Sequence, residues 1–207
     1  MSNENPHKKK ITVKHEFIML ALVFLAPIII SAVLYNNLDK WQQGGRNNGD
    51  LLDPARPLVD VDLVRKEGGN FKFSDLKTKW MLIHVENADC NKTCEENLLK
   101  SRQSRLSQGG NIGRIQRVLI VKGDMKSKHL AEVLKEHREM IVVGADDKIL
   151  NKVIEQFKLQ DNNPANTTHR VYLIDPNGNL MMSYNKNFPP IHLIKDLMHL
   201  LKYSRIG

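Results

Sequence analysis

The chain's 207 residues suffice for one domain of ordinary size and an appendage. Its formal net charge is +8, from 31 Lys+Arg and 23 Asp+Glu. On an intracellular protein that balance would suggest nucleic acid. On an exported, membrane-tethered domain it suits lipid head groups or an acidic partner surface, and nucleic acid is excluded as a partner.

Export is written in the N-terminus. Phe17 to Tyr35 contains no charged residue, which suits a single membrane-spanning helix. Pro27 lies inside it, and a membrane helix tolerates such a proline. His7-Lys8-Lys9-Lys10 and Lys14 precede the span. The positive-inside rule then places residues 1–16 in the cytoplasm, 17–35 in the membrane and the remainder outside. A cleaved signal peptide would have a shorter apolar core and a small-residue cleavage site, so an uncleaved anchor is expected. The thiols then face a compartment in which disulfides persist.

Residues 36–56 are polar and rich in Gly and Asn. They read as a flexible linker, with Trp41 at the membrane interface. The folded domain is expected over residues 57–207. Leu58–Val64 and Phe71–Phe73 alternate weakly about the turn Glu67-Gly68-Gly69-Asn70, as a short hairpin does. Trp80–Val85 is an apolar strand. A helix from about Cys94 to Ser107 follows, then a Gly109-Gly110-Asn111 turn and the apolar strand Arg117–Val121. Strand, helix, strand is a βαβ unit with a parallel pair and a right-handed crossover. A helix over 127–136, a short strand over 140–143 and a helix over 147–157 come next, then a polar loop at 161–168. Arg170–Ile174 and Leu180–Tyr184 flank the turn Asp175-Pro176-Asn177-Gly178. Pro189-Pro190 opens a closing helix to Leu201. This order, βαβ, insertion, ββα, is that of the thioredoxin fold, an α/β domain with a mixed central sheet flanked by helices.

Cys90 and Cys94 are the only cysteines, spaced Cys-x-x-x-Cys at the first strand-to-helix turn. A helix N-terminus offers unpaired N–H groups and partial positive charge, which stabilise a thiolate. Glu95 and Glu96 oppose that effect, so the depression of the thiol pKa is expected to be modest. A spacing of four turns both sulfurs the same way. The pair can close a disulfide if Cys90 lies ahead of the helix, or chelate a metal. Two thiolates do not complete a zinc site, but with one imidazole they suit Cu(I). His169, just before the strand expected beside the cysteine loop, is the candidate third ligand. His84 is expected to pack or pair on its strand. His129, His137, His192 and His199 are expected to face solvent. The glycine pairs are turns rather than phosphate loops, and no acid pair or Ser/His/Asp constellation stands out.

The run WMLIHVENADCNKTCEENLL, the later VYLIDPNG and the single N-terminal anchor resemble the Sco/SenC family of cytochrome c oxidase assembly proteins, over roughly residues 57–203. The resemblance implies a thioredoxin-like domain on a membrane anchor that binds copper, Cu(I) or Cu(II), through two cysteines and a distal histidine. It implies an inner-membrane protein with a periplasmic domain, and oxidase subunit II or other respiratory assembly factors as partners. Cys90 and Cys94 match the family's cysteines. Glu95 stands where the family has proline. Val121-Lys122-Gly123-Asp124 replaces an Asp-Pro. Thr167 occupies the usual histidine position, with His169 two residues later, about 7 Å along an extended chain. Position 169 also corresponds to the proline that thioredoxin-type oxidoreductases set against their disulfide. Three functions follow. One is a copper metallochaperone with Cys90, Cys94 and His169 as ligands. The second is a thiol–disulfide oxidoreductase in which the more exposed Cys90 attacks and Cys94 resolves. The third is a non-catalytic assembly scaffold.

Overall fold

The computed structural model describes residues 9–36 and 47–204, and the chain divides into two units between Arg46 and Asn47. In the first, Lys9–Asn36 (α1) is one continuous helix with Pro27 inside it. His15–Asn36 within it is long and apolar enough to cross a membrane. The expected tail, residues 1–16, is thus already helical from Lys9; residues 1–8 lie outside the described residues, as do 37–46 with Trp41.

The second unit is built on an eight-stranded mixed sheet. Its strands are Asp50–Pro57 (β1), Leu63–Arg65 (β2), Asn70–Phe71 (β3), Trp80–Asn87 (β4), Ile115–Lys122 (β5), Ile141–Gly144 (β6), Val171–Ile174 (β7) and Asn179–Tyr184 (β8). They lie in the order β1-β8-β7-β4-β5-β6-β2-β3. The helices are Lys92–Leu106 (α2), Lys128–Leu134 (α3), Asp147–Gln156 (α4), Ala165–Thr168 (α5) and Pro190–Tyr203 (α6). β4, β5 and β6 are parallel, and β7 runs antiparallel to β4. The mixed thioredoxin-like sheet expected from the element order is the one observed.

The folded unit begins earlier than Pro57. β1 pairs antiparallel with β8, so the last residues of the expected 36–56 linker belong to the sheet. The segment DLLDPARP shows no alternation because it is an edge strand, exposed along almost its whole length. The chain enters β1 through a clasp on α6. The buried Asp196 carboxylate accepts from the Asn48 and Gly49 backbone N–H groups, the Asn48 amide and the Tyr184 hydroxyl, at 2.8–3.1 Å. Gly49 is required there, because a Cβ would lie 2.8 Å from Met182 and Tyr184.

Strand alternation divides the core into layers. Met81, Ile83 and Val85 of β4, with Val118 and Ile120 of β5, meet Leu150, Val153, Ile154 and Phe157 at α4. On the opposite face Trp80 and Leu82 pack with Leu193, Leu197 and Leu201 of α6. The same face of β5 carries Leu119 and Val121 against Cys94 and Leu98 of α2 and Leu130 of α3. β4 therefore reads Trp80, Leu82, His84, Glu86 along its α2-facing side, with all four buried. The apolar run becomes polar as it approaches the cysteine loop.

The clasp is tested by Asp196→Ala. Removing a buried carboxylate that satisfies four donors should cost about 2–4 kcal/mol in urea unfolding. A change below about 0.5 kcal/mol would show that β1 is not held this way.

Candidate functional site

The cysteine loop lies at the C-terminal end of β4. Asn91 caps α2 by accepting the Cys94 N–H at 3.1 Å, so the helix starts at Lys92 rather than near Cys94. Cys90 thus falls outside the helix, in the left-handed region at φ +29°. Cys90 and Cys94 are joined in a disulfide. Both are buried, at 1% and 0% exposure, so Cys90 does not present the exposed thiol expected of it. Ala88, Met125 and Val133 pack over the cluster that contains them.

His169 stands across the loop. It follows α5, a helical turn that replaces the expected polar loop and ends with His169 in the left-handed conformation, φ +51°. The extended-chain offset of about 7 Å from Thr167 therefore does not apply. Thr167 is exposed and its hydroxyl donates back to the Pro164 carbonyl. The His169 carbonyl accepts from the buried Asn97 amide of α2 at 2.7 Å. Its ring reaches two partners: Nδ1 lies 2.6 Å from Glu86 Oε2, and Nε2 lies 3.3 Å from the Asn91 amide nitrogen.

The donor pattern assigns the tautomer. Asn91 Oδ1 is occupied by the Cys94 N–H, so its NH2 donates to Nε2. Nε2 then holds a lone pair facing the cysteine loop, and Nδ1–H donates to a Glu86 carboxylate. Burial works against that charge. It pushes the Glu86 carboxyl up to about 8, with the Asp89 carboxylate adding to the rise. Burial also lowers His169, and Lys186 lowers it further. The Nδ1–H donor is what favours the ionised carboxyl. Glu86 Oε1 has no hydrogen-bond partner among the described residues. Glu86 was not singled out from the sequence. The signal was its place two residues beyond His84, on the same strand face.

Among the described residues no three of His, Cys, Asp and Glu are gathered as metal ligands. The two sulfurs are spent on each other and Nε2 on Asn91. Reduction of the disulfide and a swing of the Asn91 amide would free two thiolates and one imidazole, a donor set that fits Cu(I).

Two further histidines touch this region. His129 is exposed as expected, and its Nε2 donates to the Cys90 carbonyl at 3.1 Å and lies 3.6 Å from Glu95. His137 departs from expectation, being buried just beyond α3. The reason is Arg117, whose wholly buried guanidinium has His137 Nδ1 as an acceptor at 3.4 Å. His84 Nε2 meets Ser101 Oγ at 2.8 Å, as a paired strand histidine should. Asn166 is buried and donates its amide to Asn87 Oδ1 at 2.7 Å.

A mixed sheet with a cysteine pair at the first parallel strand-to-helix turn defines a thioredoxin-like domain, here behind an N-terminal helix of membrane-spanning length. Residues 80–204 match the family model described as transmembrane-like, thioredoxin-like, C-terminal domain, and the chain belongs to that family. No curated protein sequence matches it. Many structures with this fold are Sco proteins. Copper-bound ScoI of Arabidopsis thaliana is 18% identical over 70% of this chain and 98% of its own, with a TM-score of 0.59. Copper-bound yeast Sco1 is 16% identical over 73% and 95%, at 0.61. BsSco, described as a Sco-family cytochrome c oxidase assembly protein with a disulfide switch, is 14% identical over 75% and 99%, at 0.58. At these identities the likeness is one of fold.

The buried histidines generate a pH prediction. Burial lowers His137 to about 4, and the Arg117 charge adds to the fall. The unfolded chain binds a proton near 6.5 and the folded one does not, so this contribution is complete above 6.5 and is lost as pH falls towards 4. His137→Asn keeps an acceptor near the Nδ1 position without the titration. Between pH 7 and 5 the wild type should lose about 2 kcal/mol more than this variant in urea unfolding. Glu86 acts in the opposite sense in both proteins and cancels in the comparison. Identical pH slopes would contradict the assignment.

Proposed function

We propose that the chain is a membrane-anchored assembly factor for a copper-containing respiratory oxidase, carrying Cu(I) as cargo on Cys90, Cys94 and His169. The observation that carries this reading is the Glu86–His169 pair. A buried carboxylate holds Nδ1 at 2.6 Å and leaves Nε2 aimed at the cysteine loop. A carboxylate behind a histidine is the usual support of an imidazole that ligates a metal, because it sets the ring's tautomer and raises its basicity. The copper-bound states of the similarly folded ScoI and Sco1 support the same reading.

In this reading α1 lies in the inner membrane with the N-terminus in the cytoplasm, and the domain works in the periplasm. The partner is oxidase subunit II or another respiratory assembly factor. Exchange of the soft ion begins with two thiolates, so the disulfide must first accept two electrons from a dithiol donor. The Asn91 amide then moves aside and Nε2 completes a three-coordinate site.

The closed disulfide supports a second reading, a thiol–disulfide oxidoreductase that keeps partner cysteines reduced. The disulfide switch described for BsSco supports it.

An anaerobic Cu(I) titration of the reduced full-length chain in detergent, against a competing chelator, separates the two. The copper reading predicts one Cu(I) per chain, lost in Cys90→Ala and weakened in His169→Ala. Glu86→Gln should weaken it about 10- to 100-fold. Absence of competitive binding in the wild type would overturn the copper reading. The oxidoreductase reading would then predict that Cys94→Ser traps a mixed disulfide with its partner.

A further inference from the structure

The helix that carries Cys94 is docked by polar groups. Its buried face is Cys94, Asn97, Leu98, Ser101 and Ser104, with one large apolar side chain among the five. Beneath it lies Arg117, the largest fully buried side chain of the domain. Its NH2 donates to the Leu98 carbonyl at 2.7 Å and its Nε to Ser101 Oγ at 3.2 Å. Arg117, Leu119 and Val121 share one face of β5, and Cys90 and Cys94 pack in the same cluster as Leu119 and Val121.

The charge balance under the helix is uneven. The carboxylate paired with Arg117 is Glu139, at 3.7 Å, and Glu139 is shared with Arg105 at 3.8 Å. Arg102 also bears on Arg117, with Glu136 as its own partner. The facing imidazoles, His84 and His137, are kept neutral by burial. A cation buried with a counter-ion it must share is costly, and the Arg117 contacts at Leu98 and Ser101 lie in the middle of α2, one to two turns beyond Cys94. Reduction of the disulfide places negative charge at Cys94, one turn before Leu98 on the same buried helix face.

We infer that Arg117 is a positioning residue for the cysteine pair: its buried cation and its bonds to Leu98 and Ser101 favour the reduced, thiolate-bearing form over the disulfide. This rests on the reading of Cys90–Cys94 as a reversible pair. The step is the two-electron cleavage of the S–S bond by a dithiol or by two thiols, which are oxidised to a disulfide. Of the two protons the donor thiols give up, one goes to one sulfur of the pair and the other to solvent, leaving the second sulfur as thiolate.

The test is the thiol–disulfide equilibrium of the full-length chain in detergent, in glutathione buffers of graded ratio. Arg117→Met removes the charge at similar volume and should shift the equilibrium towards the disulfide by about fivefold or more. Arg117→Lys keeps the charge and should shift it less than half as far on a logarithmic scale. Glu139→Gln removes the counter-charge from a half-exposed position that does not threaten folding, and should shift it the other way, towards the dithiol. Equal shifts in Arg117→Met and Arg117→Lys would overturn the inference. So would an unchanged or opposite response in Glu139→Gln, whether or not the Arg117 variants fold. A wild-type pair that glutathione cannot reduce would overturn the reversible-pair reading itself, and is distinguishable because it needs no variant.

Discussion

A helix whose buried face is Cys, Asn, two Ser and a single Leu cannot be held on a sheet by the hydrophobic effect alone. Each buried polar group costs free energy unless it finds a partner. In this domain the partners come from β4 and β5. His84 meets Ser101, and Arg117 meets Ser101 and the Leu98 carbonyl. Asn97 reaches across to the His169 carbonyl. That last bond fixes the left-handed residue after α5, and so fixes where the imidazole stands. The docking of α2 and the position of the candidate ligand are one hydrogen-bonded arrangement.

The same arrangement explains the grading of β4. Trp80 and Leu82 anchor the strand in the α6 layer, where burial needs only apolar surface. His84 and Glu86 follow on the same face, where α2 offers hydroxyls and the loop after α5 offers an imidazole. A strand with a wholly apolar face would take one partner from Ser101 and leave His169 Nδ1 without Glu86. Glu86 is tolerated in the interior because His169 supplies a donor. Burial presses against that charge and raises the Glu86 pKa.

Much of this was legible from the residues. The apolar runs at 80–85 and 117–121 and the hairpin about Asp175-Pro176-Asn177-Gly178 placed the sheet. The cysteine spacing placed the candidate site at the strand-to-helix turn. What escaped the reading was polar. β1 reads as linker because an exposed edge strand needs no alternation. The helix start at Lys92 depended on the Asn91 cap. His137 reads as solvent-facing because nothing local announces a buried arginine twenty residues earlier in the chain. Glu86 carries no signal except its parity with His84. Apolar periodicity reports which face is buried, whereas polar pairing across strands is a tertiary fact.

The central claim is that His169, oriented by Glu86, completes a Cu(I) site with Cys90 and Cys94. X-ray absorption at the copper edge of the reduced, Cu(I)-loaded full-length chain tests it most directly. The account predicts two sulfur neighbours and one nitrogen with imidazole scattering, and loss of that scattering in His169→Ala. Copper bound by sulfur alone in the wild type, or imidazole scattering that survives His169→Ala, would contradict it.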